Sequence, residues 1–224
     1  MDVSEAIATR VSCRAFRPDP VPLDTVRMLL DKAKQTPSGG NLQPWHVDVL
    51  TGAPLKALIA DIASQSHLLP HGEGTEYNIY PPNLSEPYKA RRYKCGADLY
   101  AVLGIAREDR AGRLGQFARN FDFFGAPVGL LFSIGREMEV GQWSDLGMYI
   151  HAVMLLAREA GLHTCAQEAW AMWPKTVARH IDIPPERMLF CGMALGVMDE
   201  DAPVNALRTD REPVDGFTTF RGWA

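Results

Sequence analysis

The chain has 224 residues, 46% hydrophobic and 22% charged, with a formal net charge of −4. That length and mix support one substantial core and exclude general disorder, and an acidic balance without a long basic run argues against nucleic acid. No stretch approaches the ~20 apolar residues that span a bilayer, and the N-terminal ten residues lack the apolar run of a secretory signal, so the expectation is a cytoplasmic protein with no membrane partner.

In chain order, residues 2–9 read as a short helix with Val3, Ala6 and Ile7 on one side. Residues 23–35 read as a second, because Leu23, Val26, Leu29, Leu30 and Ala33 recur at helical spacing. The stretch 36–44, with two prolines and two glycines, stops that helix in a loop. Residues 45–51 alternate in polarity and predict a strand, and 54–65 return to helix. Residues 66–86 carry loop chemistry, 88–104 predict a helix opening on Lys89, Arg91, Arg92 and Lys94, and more helix follows to about 120. The span 66–124 therefore reads as an excursion from the core, of the kind that forms lids or binding elements.

The core resumes with the apolar run 126–134, a buried strand. A long helix over 142–160 is stopped by Gly161, where a C-terminal glycine belongs. A short strand at 162–166, a helix from Lys175 to His180 and a strand at 188–197 complete the regular elements. The polar tail from Asp199 ends in Phe217, Phe220 and Trp223. Helices and strands alternate irregularly, which points to an α+β fold.

Cys13, Cys95, Cys165 and Cys191 lie far apart without zinc spacing, and no HExxH or HxH pair occurs, so no metal site and no disulfide is expected. Four stretches can carry chemistry. Arg10, Ser12 and Arg14 set two planar guanidiniums around a hydroxyl, suited to phosphate or a polarised carbonyl edge, or equally to a solvated basic turn. Pro37, Ser38, Asn41 and Gln43 form a glycine-containing amide loop that lets backbone approach a ligand, or simply connects helix to strand. Gln167, Glu168 and Ala169 follow a strand, where a turn presents free N–H groups. Arg208 and Arg211 lie in the tail, where a solvated surface is the default.

Together, in this order, the Arg10-x-Ser12-x-Arg14 stretch and the Pro37-Ser38-x-x-Asn41-x-Gln43-Pro44-Trp45 loop resemble the nitroreductase family of FMN-dependent flavoproteins over roughly 1–60 and 126–215. The resemblance implies a single domain, 1–224, with a mixed, mainly antiparallel sheet flanked by helices. It also implies a variable excursion at 66–124 near the substrate site and a C-terminal arm, 199–224, wrapping a dimer partner. Non-covalent FMN is implied, with its phosphate on Arg10 and Arg211, Arg208 helping, and Ser12 at the ribityl or phosphate end. Arg14 would lie by the N1/O2 edge, and the Glu168 N–H within the 167–169 turn would face N5, with Ala169 where many relatives carry glycine. Pro37, Ser38, Asn41 and Gln43 would come from the other subunit of a homodimer. The implied activity is two-electron, ping-pong hydride transfer from NADH or NADPH to a nitroaromatic or quinone-like acceptor. The chemistry would be flavin-borne, without a catalytic side chain, and Tyr88, Tyr93 and Phe124 would stand on the side of a small aromatic acceptor. The rivals are a flavin-binding sensor, a dehalogenating or flavin-degrading relative, and a structural protein whose arginines are surface charge.

Overall fold

A computed structural model describes residues 1–223; Ala224, the last residue of the expected arm, lies outside the described residues. The elements are α1 Val3–Thr9, α2 Leu23–Ala33, β1 His46–Thr51, α3 Gly52–Ser64, α4 Tyr88–Val102, α5 Arg110–Ala118, β2 Val128–Gly135, α6 Val140–Glu159, β3 His163–Gln167, α7 Pro174–Ile181 and β4 Arg187–Gly196. The sheet order is β1-β2-β4-β3 and every neighbouring pair is antiparallel. One parallel bridge, Ser12 to Thr164, adds the chain start to the β3 edge.

The strands form where the apolar runs are, and the pleat sorts them between two cores. Leu130, Phe132 and Ile134 of β2 face Val26 and Leu29 of α2 and Leu146, Ile150 and Val153 of α6. Leu131 faces the other way, onto Leu55, Leu58 and Ile62 of α3 with Trp170, Trp173 and Val177. The long helix α6 begins with reciprocal capping between Glu139 and Gln142, two residues before the expected start, and is stopped by Gly161 at φ +74°. α3 likewise begins at Gly52, two residues early.

Two strand glycines let large rings lie against the sheet. A Cβ at Gly129 would stand 2.6 Å from the Phe123 ring, and one at Gly192 would collide with the Trp170 ring. Phe123 and Trp170 stack on each other with centroids 4.3 Å apart. Phe123 and Phe124 both take the left-handed conformation, at φ +51° and +55°, so the backbone at 119–125 is bent to turn these rings inward.

The excursion behaves in two ways. α4 and α5 bury no residue, whereas Phe121, Phe123 and Phe124, at its end, belong to the core. Its first loop is clipped to the body: the Glu73 N–H donates to the Met172 carbonyl at 2.8 Å, and the Glu73 carboxylate accepts from the Lys175 and Thr176 N–H groups at 2.9 and 3.0 Å, capping α7. In the tail, Phe217, Phe220 and Trp223 are exposed. Among the described residues no helix is long and apolar enough to cross a membrane, and the four cysteines are free.

Candidate active site

The chain after α1 runs extended along the β3 edge, with the Cys13 N–H donating to the Thr164 carbonyl at 3.0 Å. Alternation along this strand-like segment buries Cys13 and leaves Arg10, Ser12 and Arg14 on the opposite side, half-buried. Asn205, itself buried, ties this segment to the tail. Its Oδ1 accepts the Arg14 N–H at 2.7 Å, its Nδ2 donates to the carbonyls of Ala15 and Asp199 at 2.8 Å, and its own carbonyl accepts from Arg208 Nη1 at 2.8 Å. Arg208 is thereby brought to the segment that carries Arg14, across nearly two hundred residues of sequence.

Arg158, at the end of α6, completes the group: its Nη1 donates to the Leu162 carbonyl at 3.0 Å and sits 3.3 Å from Nδ1 of His163. Burial, then the charges of Arg158 and Arg208, push the His163 pKa down to about 4, so the ring stays neutral near pH 7. Burial and then Arg10 lower His151 in the same direction. Among the described residues, none of Arg10, Arg14, Arg158 and Arg208 has a carboxylate within ion-pairing distance. Fixed guanidinium charges gathered without a counter-anion are the donor set of an anion site.

The amide loop is strained and braced. Gly40, Asn41 and Gln43 all have positive φ, at +56°, +56° and +50°, and two of the three carry side chains that disfavour it. The buried Asp145 of α6 accepts the Gly39 N–H at 3.1 Å, Ser38 Oγ accepts the Gln43 N–H at 3.0 Å, and Trp45 stacks on Tyr149 with centroids 4.7 Å apart. Ser38 is half-buried, and Pro37, Asn41 and Gln43 remain exposed. The loop is braced at Asp145 and the arginine group reaches Arg158, so thirteen residues of α6 separate them, roughly 20 Å along the axis.

After β3, Glu168–Met172 form a 3-10 turn whose first N–H groups have no acceptor within it. Ala169 is not among the positive-φ residues, so the turn does not need a glycine at this position. Gln167 is buried: Nε2 donates to the Asn120 carbonyl at 2.7 Å, while Oε1 is buried without a partner. Burial raises the Glu168 carboxyl above the usual carboxylate range.

Two expectations change. Phe124 is 2% exposed and packed in the α3-side core, so it does not stand on an acceptor side; Tyr88 and Tyr93 of α4 are exposed. Arg211 does not join the arginine group in this chain: Nη1 donates to Oγ1 of Thr209 at 2.7 Å and to the Asp210 carbonyl at 2.8 Å, so its guanidinium is folded onto its own turn. Asn205, Arg158, His163 and Asp145 were not found from sequence. Their role rests on contacts between distant segments, and none lies in a motif. Among the described residues, no group of three or more His, Cys, Asp or Glu could hold a metal ion.

Residues 7–197 match the model of the nitroreductase family. The chain is 37% identical to a 4-nitrobenzoate reductase of Pseudomonas putida over 222 residues, which is 99% of this chain and 96% of that protein. It superposes with TM-score 0.96 and 42% identity on an FMN- and NADPH-dependent nitroreductase, NfnB, from sphigopyxis sp. strain HMH, covering 100% of both chains. NfnB from Mycobacterium smegmatis, an FMN-dependent nitroreductase solved in complex with NADPH, matches with TM-score 0.88 and 29% identity over 99% of this chain and 100% of that one.

Proposed function

Because the chain belongs to the nitroreductase family, we propose that it is an FMN-dependent oxidoreductase that carries two electrons from NADPH or NADH to a nitroarene. The observation that carries this reading is the group of Arg10, Arg14, Arg158 and Arg208 by the β3 edge, none with a carboxylate partner, in which Asn205 ties the Arg14 segment to the tail that carries Arg208. A phosphate monoester with about two negative charges supplies the missing anion. When bound, FMN accepts hydride from the nicotinamide and delivers two electrons to the acceptor.

The chain's own residues hold and orient that group. Arg10, Ser12 and Arg208 take the phosphate end. Arg14 lies at the N1/O2 edge, where a fixed cation favours the reduced, anionic ring. The Glu168 N–H, first in its turn, donates at N5. The neutral His163 fills the space behind the arginines without adding repulsion.

The amide loop and the arginine group of one chain stand roughly 20 Å apart along α6, too far to grip one isoalloxazine edge together. Pro37, Ser38, Asn41 and Gln43 of a second copy therefore complete the site in a C2 homodimer, with the exposed aromatic tail covering the partner. Four free cysteines fit a reducing, cytoplasmic setting. One open flavin face serves both substrates, so donor and acceptor alternate.

Anaerobic titration tests the reading. NADPH bleaches the yellow purified protein, and a nitroarene then restores the colour stoichiometrically. Initial-rate lines at fixed acceptor concentrations run parallel. A colourless protein, or colour that neither nicotinamide bleaches, overturns it.

A further inference from the structure

α4 presents two unlike faces. On one, the cations are matched: Arg91 pairs with Glu212 at 2.7 Å, and Lys94 pairs with Asp98 at 2.6 Å and Asp210 at 2.9 Å, which clasps the tail to the helix. The other face carries Lys89, Arg92, Tyr93, Gly96 and Tyr100 at intervals of three and four, so they share one side of the helix. This side opens on a cleft of about 1030 Å³ between α4, the loop at 81–86 and the α5 side, where Arg107 and Arg113 also line it.

Among the described residues, Lys89, Arg92, Arg107 and Arg113 have no carboxylate partner. The single acidic residue of the lining, Glu86, accepts the Ala90 N–H at 3.1 Å and is engaged in capping the helix. Three of the four cations are laid on tyrosine rings: Arg113 stands 3.7 Å from the Tyr100 centroid, Arg92 3.9 Å from that of Tyr80, and Arg107 5.8 Å from that of Tyr93. Contact with the rings steadies the Arg92 and Arg113 guanidiniums and leaves N–H groups free for a planar anion. Gly96 is unexpected in mid-helix, where glycine costs about 1 kcal/mol relative to alanine. A Cβ there would meet nothing within 4 Å, so no packing demands it, and its effect is to keep the floor of the cleft open.

We propose that this cleft is a binding site for a planar arene carboxylate, with its ring between Tyr93 and Tyr100 and its carboxylate on the edges of Arg92 and Arg113. Resting on the reading of the chain as a nitroarene reductase, the ligand is a carboxylated electron acceptor, and the cleft confers preference for it over neutral nitroarenes. A cluster of fixed cations in an acidic protein attracts such a ligand electrostatically, and the tyrosines add the aromatic contact.

Calorimetric titration of the FMN-loaded protein with 4-methylbenzoate, an unreactive probe, reads the site independently of turnover. Saturable binding is expected, with 4-methylbenzamide, its neutral counterpart, at least about tenfold weaker, the scale of one charge-assisted contact. Arg113→Gln weakens the carboxylate by a similar factor, Arg113→Lys retains part of it, and Gly96→Leu, whose Cβ meets nothing within 4 Å, fills the floor and abolishes binding. In kinetics, the ratio of kcat/KM for 4-nitrobenzoate to that for 4-nitrobenzamide falls about tenfold in Arg92→Gln/Arg113→Gln. Carboxylate binding that survives both Arg113→Gln and Gly96→Leu, or a carboxylate preference that survives the double substitution, overturns the proposal. A wild-type protein that reduces neither nitro compound sinks the functional reading instead, while the calorimetry still decides the cleft.

Discussion

The central sheet and the α4–α5 excursion are opposite kinds of structure in one chain. β2 is buried at every position, and β4 almost so, whereas α4 and α5 bury no residue. Both are built from ordinary apolar and charged residues. What differs is whether the neighbours demand a particular shape. On the sheet, glycines at 129 and 192 are fixed by rings that leave no space for a Cβ; on α4, Gly96 faces open space. The sheet and its packed rings fix the β3 edge and the 168–172 turn; on the proposed function they set cofactor geometry, and the excursion is left to set which acceptor is taken.

Substitutions can break or sharpen that contrast. The largest effect is expected at Trp170, fully buried, stacked on Phe123 and laid over Gly192. Trp170→Ala should cost about 3–5 kcal/mol in urea unfolding. A loss under about 1 kcal/mol would mean that the packed side is as tolerant as α4. Next comes Asn205, whose side chain makes two bonds to the chain start, at Arg14 and Ala15, and one within the tail, to Asp199. Asn205→Ala should cost about 2–3 kcal/mol by orphaning the Arg14 N–H and the Ala15 and Asp199 carbonyls, and it should loosen flavin by freeing the segment that carries Arg14. Native stability with normal flavin retention would show that the tail is held by other contacts.

The His163 shift sets an acid limb. Its folded pKa, about 4, lies below the ordinary 6.5, so the unfolded chain takes up a proton first as pH falls. Stability is full above pH 6.5 and is lost between there and pH 4, on the order of 3 kcal/mol. His163→Asn should flatten that limb in a pH series of unfolding midpoints, and an unchanged slope would remove His163 as its source. Glu73→Ala should cost about 1 kcal/mol, the worth of one helix cap, and raise hydrogen exchange in the 66–86 loop. No change in exchange there would contradict the clip at Met172 and α7. Smallest of all, Tyr93→Ala should shift stability by no more than about 0.5 kcal/mol.

The same contrast explains what the sequence made legible. β2 and β4 were visible because strands covered on both faces read as continuous apolar runs. The amide loop was visible because two prolines and two glycines leave no regular alternative. Phe124 was misplaced because an aromatic run after a basic, exposed helix gives no sign of which way its rings turn. The deciding fact for Phe124, left-handed backbone at 123–124, is set in tertiary structure, as is the space over Gly129 that takes the neighbouring Phe123 ring. A glycine within a strand run was the available hint of a ring pressed against the sheet. The arginine motif at 10–14 was legible as a motif, but the arrangement that makes it a site depends on Asn205, Arg158 and His163, which only folding brings beside it.

The central claim is that the arginine group at the β3 edge seats the FMN phosphate. The most direct measurement compares the affinities of the apoprotein for FMN and for riboflavin, which lacks the phosphate, in wild type, Arg10→Gln and Arg208→Gln. Wild type should prefer FMN strongly, and each substitution should narrow that preference by about tenfold or more while leaving riboflavin binding nearly unchanged. Equal affinity for the two flavins in wild type, or a preference untouched by both substitutions, would contradict the account.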